Sequence, residues 1–271
     1  MTTDTATREV RGYVVTRAGR IHYREMGEGP ALLLLHQTPS NGSQFGPSLP
    51  LLARGRRVIA VDTPGFGMSD APSERPGDAA YYAETFVEVA DALGLAEFDV
   101  LGHHTGATFA LEVAATHPER VRGSVFFGLL ALKDEDRDFW ANVLLKPYEL
   151  DRAMDFVDTF VKPKVADIVP GADGPQLQRE LIAALQAGPA YWWAYDAVCR
   201  HDSYDRLARL RGRVLFLNAT EDDPLLVTAM RAAAPAVPGH VWTDVEGHPA
   251  FHFREPRAYT AAVDAFLGGV R

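Results

Sequence analysis

The segment Gly102-His103-His104-Thr105-Gly106 holds the residues of this chain best suited to do chemistry. It follows a short apolar run, 98–101, and leads into an apolar stripe at Ala107, Ala110, Leu111, Ala114 and Ala115. Glycines on both sides permit a sharp turn and close packing of a strand on a helix. The middle residue, His104, then projects at a helix N-terminus. A neutral imidazole there can act as a base, a nucleophile or a metal ligand. The macrodipole is positive at that end and disfavours imidazolium, so the neutral ring is expected.

The surrounding pattern says which elements must carry this turn. Residues 10–15 and 20–24 read as a hairpin turning at Ala18-Gly19. Continuous apolar runs at 31–35, 57–61, 98–101, 124–130, 213–217 and 240–245 suit strands buried on both faces. Helical spacing appears between them, at Tyr82, Phe86, Val89 and Leu93, and again at Tyr259, Val263, Phe266 and Leu267. Strands alternating with amphipathic helices predict an α/β fold with a mostly parallel central sheet flanked by helices. Residues 132–211 break the alternation. Leu177, Leu181 and Leu185 are spaced by fours, and Pro147, Pro163, Pro170, Pro175 and Pro189 punctuate the stretch. It reads as a helical insertion on the sheet, whose Tyr191, Trp192, Trp193 and Tyr195 either line a pocket or form its own core.

Set on a strand-turn-helix, the 102–106 segment resembles the nucleophile elbow of the α/β-hydrolase fold. Other segments are similar to the same family. His36-Gln37-Thr38-Pro39 stands where the family has H-G-x-P, and Asp62 to Ser69 looks like its D-x-P-G-x-G-x-S turn. Asp223-Pro224 stands where the acid is placed, and Gly247-His248 where the histidine is placed. The capped members include C–C hydrolases, epoxide hydrolases, haloalkane dehalogenases and esterases. The resemblance implies a core of residues 1–131 and 212–271 with a helical cap at 132–211. It implies a catalytic group of His104, Asp223 and His248, with Asp222 and His252 as the alternatives for acid and histidine. A backbone N–H of Gln37 or Thr38, with that of Thr105, would stabilise an oxyanion. His36 would brace that loop, and Trp192 and Trp193 would contact substrate. Asp223 would favour a charged His248 beside a neutral His104, which suits acid and base roles. One departure dominates: the elbow carries histidine where the family has Ser, Cys or Asp. Serine acyl-enzyme chemistry is therefore closed to it. Gln37 for glycine is a lesser departure.

Composition narrows the partners. A net charge of −9 and no basic cluster argue against nucleic acid. One cysteine, Cys199, excludes an internal disulfide framework. No apolar run approaches membrane-spanning length, and residues 1–10 carry no apolar signal, so a cytoplasmic monomer or homodimer is expected. A metal site from His36, His104 and His248 lacks chelating spacing, and neither metal nor cofactor is expected. The reading is a cofactor-free hydrolase acting on a small, largely apolar ester, lactone, amide or activated C–C substrate. The rivals are a lyase, isomerase, cyclase or cofactor-independent oxygenase on the same scaffold, and a non-catalytic ligand-binding protein.

Overall fold

Leucines 32 to 35 show how the sheet is built. Leu33 and Leu35 enter one apolar layer, while Leu32 and Leu34 enter another on the opposite face. Successive strand residues point to opposite faces, so a strand covered on both sides must be apolar throughout. Val125, Phe126 and Phe127 alternate in the same way, as do Leu215, Phe216 and Leu217.

In the computed structural model the described residues are 8–145, 153–163, 174–188, 190–250 and 254–268. Pro147, Pro170, Pro189 and His252 lie outside them. The strands are β1 (Val10–Thr16), β2 (Gly19–Met26), β3 (Ala31–Leu35), β4 (Arg57–Val61), β5 (Phe98–His103), β6 (Val121–Phe127), β7 (Arg213–Ala219) and β8 (Val241–Val245). They form an eight-stranded sheet in the order β1-β2-β4-β3-β5-β6-β7-β8. β1 and β2 pair antiparallel, as do β2 and β4, and the remaining pairs are parallel. The run expected at 124–130 ends at Phe127, three residues short, because Gly128 takes a φ of +61° and turns the chain out of the sheet.

The helices are α1 (Ala79–Ala92), α2 (Thr105–Thr116), α3 (Arg137–Leu144), α4 (Ala153–Phe156), α5 (Gly174–Ala187), α6 (Ala190–Arg200), α7 (Ser203–Arg209), α8 (Pro224–Ala233) and α9 (Pro256–Leu267). Asp78 caps α1 by accepting from the N–H groups of Ala80 and Tyr81. α1, α2, α6, α7 and α8 contribute to one apolar layer, in which Tyr82 stacks on Phe109 at 4.5 Å. α9 and residues 45–53 contribute to the other. α2 is buried along nearly its whole length. Its one acidic residue, Glu112, is paired there with His201 at 2.9 Å and Arg206 at 2.6 Å.

α3 to α7 fall between β6 and β7, and no strand occurs among the described residues of that stretch. The leucine stripe expected on α5 is only partly covered: Leu181 packs on the core. Leu185 is 52% exposed, whereas Ala183, Ala184 and Ala187 are buried. The inward face therefore runs through Glu180, Ala183, Ala184 and Ala187, at helical spacing.

Candidate active site

Six parallel strands end on one edge of the sheet, and residues just beyond four of them meet there. In an open α/β sheet this carboxyl edge is where ligands bind. Gln37 and Thr38 follow β3, His104 follows β5, Asp222 lies past β7 and His248 past β8. All of them line one cavity of about 420 Å³. Its other wall comes from residues between β6 and β7, including Trp140, Leu144, Val161, Ala184 and Tyr195.

His104 is the one non-glycine residue among those described with a positive φ, at 48° with ψ of −111°. An L-residue pays for such a conformation, and it persists only where the surroundings impose it. The imposition is visible. The His104 N–H donates to Phe127 O at 2.8 Å. Gly106 packs so closely under β3 that a Cβ on it would lie 2.7 Å from His36 O. α2 thus starts directly beneath the strand end, and His104 has nowhere to go but outward.

The imidazole then reaches Asp222. His104 Nε2 lies 3.0 Å from Asp222 Oδ2, with the histidine side chain 25% exposed and the aspartate 3%. Burial by itself would raise the Asp222 pKa. The charge and hydrogen bond of His104, the Asp223 N–H on Oδ1 and the charge of His248 outweigh that and hold it below the usual carboxylate range. An ionised Asp222 can only accept, so Nε2 carries a hydrogen, and in the neutral ring Nδ1 holds the lone pair. That Nδ1 has no polar partner among the described residues.

The carboxylate that meets an imidazole here is that of Asp222, the neighbour of the expected Asp223. The Asp223 carboxylate accepts from Leu225 N–H at 2.8 Å and caps α8. A proline at the next position makes Asp223 a natural N-cap, which sends the neighbouring Asp222 inward. His248 shares the cavity and acts on Asp222 through its charge. Its Nδ1 accepts from Ala250 N–H at 3.1 Å, which leaves the hydrogen of a neutral ring on Nε2. The bond expected between His248 and Asp223 is replaced by one between His104 and Asp222.

Gly128 escaped the sequence reading. A Cβ there would lie 2.6 Å from His104 Nε2 and 3.1 Å from Asp222 Oδ2. The space that any other residue would fill at the end of β6 is occupied by the elbow imidazole. The residue type and the distance along the chain gave no hint of this.

Of the N–H groups assigned to an oxyanion, those of Thr38 and Gln37 are already engaged. Thr38 N–H donates to Thr105 Oγ1 at 2.8 Å, and that hydroxyl donates on to Thr38 Oγ1 at 3.0 Å. Gln37 N–H donates to Gln44 Oε1 at 3.2 Å. The Gln44 amide also reaches His103 Nδ1 at 3.1 Å, and His103 stacks on Phe127 at 4.1 Å. His36 stands behind the cavity, almost fully buried. Its Nδ1 donates to Gln37 O at 2.8 Å, and its Nε2 accepts from Thr63 N–H at 2.9 Å. Burial lowers its pKa, against the pull of Asp62. With both nitrogens spent it braces two loops and does not touch the cavity. Trp192 and Trp193 are not in the cavity wall either: Trp192 lies under the Arg75 guanidinium at 5.5 Å. Tyr195, from the same helix, does line it, and its hydroxyl donates to Thr38 O at 2.9 Å. No group of three or more His, Cys, Asp or Glu suited to a metal ion occurs among the described residues.

Fold and site together define the class. The chain belongs to the alpha/beta hydrolase fold family, whose model matches residues 30–197, more than half of it. Its similarity to individual proteins is partial. It is 38% identical over 114 residues to the bifunctional epoxide hydrolase 2 of Sus scrofa, covering 41% of this chain and 20% of that protein. It is 34% identical over 127 residues to the 2-hydroxymuconate semialdehyde hydrolase of Pseudomonas putida, covering 44% of this chain and 43% of that one. These matches span less than half the length of either relative. An esterase from Exiguobacterium antarcticum superposes with a TM-score of 0.80 at 19% identity, over 94% of this chain and 98% of its own. That likeness speaks for the fold.

Proposed function

We propose that this protein is a cofactor-free hydrolase in which the His104–Asp222 pair is the general base, with residues 132–211 acting as a cap over a small, largely apolar substrate. The contact between a strained elbow histidine and a buried, ionised aspartate carries the reading. A ring that fills no core space, at a position that costs backbone strain, is held for its chemistry. The named relatives are hydrolases, which supports the reaction type.

The step runs as follows. His104 Nδ1 takes a proton from water as the water oxygen bonds to the electrophilic carbon of the substrate. Asp222 stabilises the imidazolium across the Nε2–H bond. The imidazolium returns the proton to the leaving group as the scissile bond breaks, so water is consumed and no covalent enzyme intermediate forms. Direct attack by imidazole is less favourable, because the ring is bulkier than a serine hydroxymethyl and holds the reacting carbon away from the donors.

One observation favours a second reading. The Thr105 hydroxyl occupies the Thr38 N–H, so the donor that an acyl-transfer reaction would use is already satisfied. Proton abstraction from a substrate carbon or hydroxyl by the same base needs no such donor and leads to a lyase or isomerase. Turnover in ¹⁸O-labelled water separates the two. Label in one product supports hydrolysis, and its absence supports the second reading. Under both, His104→Ala lowers turnover by about 10²–10⁴-fold. Unchanged turnover in that variant defeats both.

A further inference from the structure

We propose that Glu180 forms a subsite for a positively charged nitrogen, so that the substrate is an apolar amine or another cation with an apolar body. The proposal rests on the reading of the cavity as the substrate site and adds the chemical class of what enters it.

Glu180 stands on the cavity side of α5, next to Leu181, which packs on the core. α5 has leucines at 177, 181 and 185, yet it turns Glu180, Ala183, Ala184 and Ala187 inward and leaves Leu185 to solvent. Drawing a carboxyl partly out of water on a cavity wall costs solvation and is kept where the carboxyl is used. Glu180 lines the cavity that holds His104, and its Oε1 accepts from Ser40 Oγ at 3.4 Å, a long bond from a buried hydroxyl. Burial pushes its pKa up to about 7, against the pull of Ser40 and Arg179. A carboxyl in that state lacks a strong partner, and a bound cation would supply one.

The rest of the wall agrees. The other titratable groups facing the cavity are His104, Tyr195, Glu221, Asp222, Asp223 and His248, and no Lys or Arg lines it among the described residues. A carboxylate ligand would meet several carboxylates and no Lys or Arg. An ammonium group meets the opposite field, and the apolar side chains around it receive its hydrocarbon body.

The test uses three probes of one shape, benzylamine, benzyl alcohol and benzoate, titrated calorimetrically into the intact protein. Benzylamine is expected to bind about tenfold more tightly than benzyl alcohol, with benzoate weakest. As Glu180 loses its proton, the amine preference should rise between about pH 6 and about pH 8, while the alcohol affinity stays level. Glu180→Gln, which keeps the shape, should bring amine and alcohol to parity and remove most of that rise. Glu180→Asp should restore part of the preference, which separates lost charge from a damaged helix. The proposal is overturned if benzoate equals benzylamine, if the amine shows no measurable binding, or if Glu180→Gln keeps the preference. Binding by His104→Ala keeps this apart from the dyad. Amine preference in a protein indifferent to His104→Ala turnover defeats the dyad alone, and an inactive His104→Ala without amine preference defeats the subsite alone.

Discussion

His104 is asked to do two incompatible things as a residue, to adopt a left-handed backbone and to carry a bulky ring at a crowded strand end. Gly128 resolves the second demand. A methyl group at 128 would occupy the volume of the imidazole, so Gly128→Ala should swing His104 away from Asp222. We expect turnover to fall about 100-fold with little change in KM, because the cavity wall between β6 and β7 stays in place and only the proposed base is displaced. Equal losses in binding and turnover would point to a collapsed cavity instead. The acid is tested by a matched pair. Asp222→Asn should lower turnover by at least about 100-fold, since the amide can no longer stabilise an imidazolium. Asp223→Asn should stay within about twofold in activity and stability, because asparagine caps a helix as well as aspartate does. The reverse outcome would return the role to Asp223. His104→Ser should react with a fluorophosphonate if His248 reaches the shorter side chain, whereas the parent protein should not be labelled.

At the scale of elements, α2 is the axis on which the site is hung, and Glu112 ties it to the helices between β6 and β7. Its carboxylate accepts from His201 and Arg206 with both oxygens engaged. Burial by itself would raise its pKa, but those bonds win and bring it to about 2. A folded-state pKa below the unfolded one gives stability that is full above the ordinary glutamate value, 4.5, and is lost as pH falls toward 2. Glu112→Gln should therefore destabilise the protein by about 3 kcal/mol at neutral pH, as removing one member of a buried ion pair does. The variant should also show a flatter loss of stability in acid, measured by urea unfolding from about pH 5 to about pH 3. A variant that keeps the parent's acid profile would show that Glu112 is not the group that titrates.

Over the whole molecule, the cavity gathers side chains from β3, β5, β7 and β8 and from the helices between β6 and β7. The strands were readable as apolar runs because a sheet covered on both faces leaves no choice of residue. The 102–106 turn follows from its glycines. Such features are local, since each depends on residues a few positions apart. The identity of the acid, the role of Gly128, the closed bond between Thr38 and Thr105 and the inward turn of Glu180 are different in kind. His104 and Asp222 are 118 positions apart, and whether Asp222 or Asp223 faces the ring depends on which of them α8 takes as its cap. The leucine spacing of α5 describes a helix but only part of the side that packs, since Leu181 meets the core while Leu185 is left to solvent and Ala183, Ala184 and Ala187 are buried. Sequence alone determined the layered sheet, the elbow and the presence of an imidazole at its tip. The tertiary structure decided what that imidazole touches, because contacts between distant segments are set by how packed layers fill space and not by the order of residues along either one.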